Sequence, residues 1–269
     1  MNEIPLFDSL THPTLTGDWI GHRYAGRNTL AELETQMERN SVRWAFAVGM
    51  AGIGGYEVAQ YREFIASSTR QIHPVAYYEF DPRDGTAEIQ RKVETIGRLG
   101  YRGIKLHLRF AGIPLRGDAL PAIVRCATER GLFAMICTYL FGRASSETGN
   151  TLLDFPPLLA RIPEEARVIL LHGGTVNLMS MMEICREFPN VLLDLSWTLC
   201  KYEGSSLDQD IRFLFQQFDQ RICVGSDSPE FGLDRLRRRF DFFAADTPRE
   251  KNENIAFRNL MAFTGLGQL

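Results

Sequence analysis

The chain has 269 residues, 45% of them hydrophobic and 23% charged, with a net charge of −3. That length suits one large α/β domain, and a balance so near neutrality gives no reason to expect nucleic acid or an anionic membrane as a partner. No apolar stretch nears the roughly 20 residues that span a bilayer, and the opening residues lack the basic-then-apolar pattern of a secretory signal.

In chain order, short apolar runs predict strands at 4–8, 43–49, 73–79, 103–108, 132–138, 167–172, 191–196 and 222–226. Amphipathic stretches separate them, among them "TLAELETQMERN", "GTAEIQRKVETIGRLG" and "ALPAIVRCATERG". The last two end in Gly100 and Gly131, where a helix C-terminus favours glycine. Strand–helix alternation repeated eight times is the profile of a (β/α)8 barrel, expected here as a single domain over residues 1–269. A doubly wound sheet is the runner-up, but its Gly-rich first turn is missing. "AGIGGYE" at 51–57 lacks the third glycine of that motif and reads as a loop. The five cysteines are odd in number and lack CxxC spacing, which fits reduced thiols in a cytoplasmic protein.

Barrels place their chemistry at the C-terminal strand ends. His12 follows the first predicted strand, His107 lies near the end of the fourth, His172 ends the sixth and Asp227 follows the eighth, whereas His73 begins a strand at the opposite face. In "LLHGG", His172 precedes two glycines that permit a tight turn; it reads as a base or ligand, with a buried hydrogen-bonded histidine as the alternative. In "CVGSDSPEFG", Asp227 is a carboxylate at a buried strand end, which demands a partner, a proton or a metal. A helix cap is the competing reading, although Ser226 or Ser228 could serve that need. In "GIKLHLRF", Lys105, His107 and Arg109 alternate with apolar residues and are expected on one strand face, lining the lumen and rim. That row wants anions, so His107 and Arg109 read as catalytic or substrate contacts, and Lys105 as structural or functional alike.

Cys137, Thr138 and Tyr139 close the fifth strand; Tyr139 is a candidate substrate contact, and Cys137 reads first as a small inert hydrophobe. Trp197, after the seventh strand, is a candidate pocket wall. The long loop 13–28 carries Asp18, Trp19, His22, Arg23 and Tyr24, a candidate lid or substrate clamp with His22 and Arg23 as binding residues.

Taken together, "FDSLTH", "GIKLH", "ILLHGG", "VGSDSP" and the closing "NENIAFRNLMAF" resemble the amidohydrolase superfamily, most closely its decarboxylase and lactonase branch. The resemblance implies an Asp-x-His-x-His pattern on the first strand; Asp8 and His12 match it, and Leu10 stands where the first metal-binding histidine belongs. Cys137 occupies a second ligand position, and His172 and Asp227 match the family's base and its metal-binding, proton-shuttling aspartate. Two matching ligands, His12 and Asp227, fall short of the three a catalytic zinc takes, unless His107 or Cys137 substitutes. The expected cofactor is therefore none, or one divalent metal ion such as Zn.

The expected activity is hydrolysis of a small anionic ester, lactone or amide, with Asp227 as base, His172 as orienting or shuttling group, and His107 with Arg109 stabilising an oxyanion. His12 is expected to meet substrate or Asp227. A non-oxidative decarboxylase and a ligand-binding barrel without catalysis are the alternatives. Expected partners are a small-molecule substrate and a second copy of the chain as a homodimer, with no nucleic acid or membrane.

Overall fold

The computed structural model describes residues 3–21, 24–142 and 148–268. Eight strands form one sheet in the order β1 to β8: Leu6–Thr11, Val42–Val48, Gln71–Tyr77, Gly103–Leu106, Phe133–Cys137, Val168–Leu171, Val191–Asp194 and Ile222–Cys223. The ladders β1–β2, β3–β4, β4–β5, β5–β6 and β6–β7 are parallel. The segment after β8 returns to β1: Ser9 donates its amide to the Val224 carbonyl at 3.1 Å, and Asp227 donates to Leu10 at 2.9 Å. Helices separate the strands throughout, so the fold is the (β/α)8 barrel that the alternation predicts.

The chain forms two compact units, residues 1–74 with 194–269, and residues 75–193. In the first, β1 is buried at every position, and the aromatic ring of Phe7 packs on Phe46 at 4.8 Å. His73 sits in β3 near the rings of Phe7 and Phe46, away from any strand C-terminus, in keeping with its expected place at the opposite face. In the second, β4, β5 and β6 are wholly buried; β5 and β6 accordingly read as unbroken apolar runs, whereas β4 buries Lys105 as well. The helices Thr86–Arg98 and Ala119–Glu129 end just before Gly100 and Gly131, and both glycines adopt positive φ (80° and 70°). Leu132 then donates back to Ala127 at 2.9 Å, closing the second helix end.

One expectation about strands is corrected. β4 stops at Leu106, so Lys105, His107 and Arg109 do not form a row on one strand face. His107 instead caps a short helical turn, Leu108–Ala111, its ring nitrogen accepting the Phe110 amide, and Arg109 lies within that turn. Local capping wins over the period-two pattern because it satisfies an amide that a longer strand would have to pair elsewhere.

Candidate active site

Three of the singled-out residues share a backbone feature. His172 (φ 66°), Trp197 (φ 62°) and Asp227 (φ 59°) each hold a positive φ shortly after β6, β7 and β8. A histidine or tryptophan there is strained by roughly 1–3 kcal/mol, strain that folded proteins keep mainly at functional sites. After His172, Gly173, Gly174 and Thr175 also hold positive φ, so the chain leaves β6 through four consecutive residues of positive φ. The cap reading of Asp227 fails: the next helix, Leu233–Ala244, begins six residues later, behind Gly232.

The first unit builds a histidine–carboxylate pair. The His12 amide donates to the Ser228 carbonyl at 2.8 Å, and the Asn28 side-chain amide donates to the His12 carbonyl at 2.6 Å, pinning the backbone on both sides. The His12 ring then meets the Val48 carbonyl through Nδ1 at 2.7 Å and Asp227 Oδ1 through Nε2 at 3.3 Å. A carbonyl can only accept, so Nδ1 carries a proton. The opposite nitrogen faces Asp227 Oδ1, so the pair is attractive when one proton lies between them, on Nε2 beside a carboxylate or on the carboxyl beside a neutral ring. Trp19 covers this ring, stacked at 4.8 Å with 20° between the planes, and donates its indole N–H to Glu230 Oε1 at 3.1 Å. A cavity of about 760 Å³ has Pro13, Tyr24, Arg27, Asn28, Ser228 and Glu230 in its wall, several of them chain neighbours of the pair.

Beneath lies a second polar cluster that sequence patterns did not reveal. Asp8, fully buried, accepts from the Ser226 amide (2.8 Å) and hydroxyl (2.6 Å) and from the Leu10 amide (3.2 Å). Asp194, also fully buried, accepts from the Ser9 hydroxyl at 2.5 Å, the Ser196 amide at 3.1 Å and the Ser196 hydroxyl. Burial pushes the Asp8 carboxyl up to about 7 against the opposing effect of the Ser226 hydrogen bonds, and the nearby Asp194 charge adds to the rise. Burial likewise lifts the Cys223 thiol well above its ordinary range, which makes it an inert core group.

A raised acid stabilises the fold most when protonated. Asp8 thus favours folding fully below pH 4, and that contribution is lost as pH rises to about 7. Urea unfolding across pH 4 to 8 should show the decline, and Asp8→Asn should flatten it; an unchanged slope in the variant would contradict this assignment.

In the second unit, His107 is buried, its ring 4.4 Å from that of Phe110. The Arg109 guanidinium lies over two aromatic rings, Phe110 at 4.8 Å and Tyr139 at 4.6 Å, and its buried Nε–H has no hydrogen-bond partner among the described residues. An arginine clamped between rings is preorganised for a planar anion. Cys137 ends β5 fully buried, and His172 is also buried. In the first unit, Trp197 meets Tyr202 edge-on at 5.7 Å and carries the Lys201 ammonium over its ring. His22 and Arg23 lie outside the described residues.

The metal expected from the resemblance can be tested on the donors. Leu10 is a fully buried hydrocarbon, and no three His, Cys, Asp or Glu side chains among the described residues gather as a metal site would. These donors do not fit a three-ligand zinc site.

A family model described as amidohydrolase matches residues 8–254, and the chain belongs to that family. No curated protein matches it significantly. Among solved structures it resembles an uncharacterised TIM-barrel protein from Bordetella bronchiseptica, with 17% identity and a TM-score of 0.79, covering 97% of this chain and 99% of that one. It also resembles 5-carboxyvanillate decarboxylase from Sphingomonas paucimobilis, with 13% identity, TM-score 0.68 and coverage of 98% and 99%. A third is 4-oxalomesaconate hydratase from Rhodopseudomonas palustris, with 15% identity, TM-score 0.63 and coverage of 98% and 96%. Family membership supports an enzyme and leaves its reaction class open; identities this low extend only the fold.

Proposed function

We propose that the protein hydrolyses a small anionic ester or lactone, with Asp227 as general base and without a catalytic metal. The observation that carries this reading is the His12–Asp227 pair: Nδ1 of His12 is committed to the Val48 carbonyl, which turns Nε2 toward Asp227 Oδ1 at 3.3 Å and fixes the carboxylate beside the ring. Asp227 Oδ2 then takes a proton from water as the water oxygen bonds to the substrate carbonyl carbon. Collapse of the resulting oxyanion breaks the bond to the leaving oxygen, which recovers the proton held by Asp227.

The fold is shared with a decarboxylase, so loss of CO₂ is the competing chemistry. Small anionic lactones and esters, assayed by acid release with CO₂ followed in parallel, separate the two. Acid without CO₂ is expected; CO₂ from a carboxylated substrate without net addition of water would replace this reading. Arg109→Lys should raise KM by about tenfold or more, since a lysine loses the two-ring clamp and the planar donor fork. An unchanged KM in steady-state kinetics would remove Arg109 from substrate binding.

A further inference from the structure

The His12 imidazole is held on two sides by groups that the proposed chemistry does not use. One edge is tied to the Val48 carbonyl, and one face is covered by Trp19. Trp19 is itself tied down: its indole N–H donates to Glu230, which stands three residues beyond Asp227 and donates its own amide to the Asp227 carbonyl at 2.9 Å. The result is a closed circuit, His12 to Trp19 to Glu230 to Asp227 and back to His12, joining the loop after β1 to the loop after β8.

We infer that Trp19 and Glu230 are positioning residues that fix the His12 imidazole against Asp227, an inference that rests on the proposed role of that pair. The physical reason is rotational. A hydrogen bond at Nδ1 alone leaves the ring able to swing about its Cβ–Cγ bond when the Nε2 contact weakens as Asp227 takes up a proton. A stacked indole blocks that swing only if the indole stays in place, and its sole polar atom is anchored on Glu230. A carboxylate is the stronger acceptor for an N–H donor, but a carboxamide oxygen keeps the same geometry. Glu230→Gln should therefore preserve the arrangement, and Glu230→Ala should release it.

The test reads the ring and the turnover separately. In protein labelled with ¹⁵N-histidine, the His12 Nδ1–H signal is assigned by its disappearance in His12→Gln. A slowly exchanging ring proton is expected in the wild type and in Glu230→Gln. In Glu230→Ala and Trp19→Ala the signal should broaden or vanish, with circular dichroism unchanged. On the substrate found by the lactone and ester assays, the two alanine variants should lose about tenfold in kcat with KM within about twofold, and Glu230→Gln should recover most of it. Persistence of the ring proton in Glu230→Ala overturns the inference, as does its loss with full kcat. Because the ring signal needs no substrate, failure of the hydrolase reading leaves it decisive: absence of turnover by the wild type would count against hydrolysis, not against the fixed ring.

Discussion

Replacing Asp227 by Asn is expected to lower kcat by about 10²–10⁴-fold, the usual worth of a positioned general base, with KM little changed. The substitution isolates the chemistry well. Asparagine tolerates the positive φ of 59° that Asp227 adopts, and its carbonyl oxygen still accepts from a protonated His12 Nε2. What disappears is the ability to take a proton from water. Steady-state kinetics together with a melting curve check this: a stable variant with intact turnover would remove Asp227 from the base role. A barrel that only binds its ligand would retain its affinity.

The second large effect concerns the fold beneath the site. Gly225→Ala should destabilise the protein by about 3 kcal/mol, through overpacking and the loss of buried hydrogen bonds. Glycine is required here by close approach, since its φ lies outside the left-handed region. An added Cβ would fall 2.3 Å from Ser9 Oγ, 3.0 Å from Asp8 Oδ1 and 3.0 Å from Ser196 Cβ. These atoms belong to the two buried carboxylate cages, whose hydrogen bonds fill the space and leave no flexible group to move aside. Chemical denaturation measures the loss, and a variant within 0.5 kcal/mol of wild type, the range of neutral surface changes, would contradict the packing described.

Much of this architecture is visible in the order of residues because burial imposes composition. All eight strands match apolar runs, and glycine marks the two helix ends where the backbone turns left-handed. His12 directly follows β1, as the break in its apolar run indicates, whereas β8 stops at Cys223 and Asp227 lies four residues beyond it, so only the order along the chain is legible there. The failure at β4 has a local cause. Alternation of Lys105, His107 and Arg109 fits a strand, but the His107 ring accepts the Phe110 amide and starts a helical turn, a competition that residue periods do not report. The serine cages of Asp8 and Asp194 and the stack of Trp19 on His12 were out of reach for another reason. They join residues by the closing of the sheet and the folding back of a long loop, and neither leaves a period or a motif.

The central claim is that Asp227 delivers water to a carbonyl. Turnover of a reactive anionic lactone or ester in H₂¹⁸O, followed by mass spectrometry of the acid product, tests it most directly. The account predicts one ¹⁸O atom in the new carboxylate of every product molecule, no CO₂, and loss of the labelled product with Asp227→Asn. Release of CO₂ without ¹⁸O in the remaining product, or labelled product formed at the wild-type rate by Asp227→Asn, would contradict it.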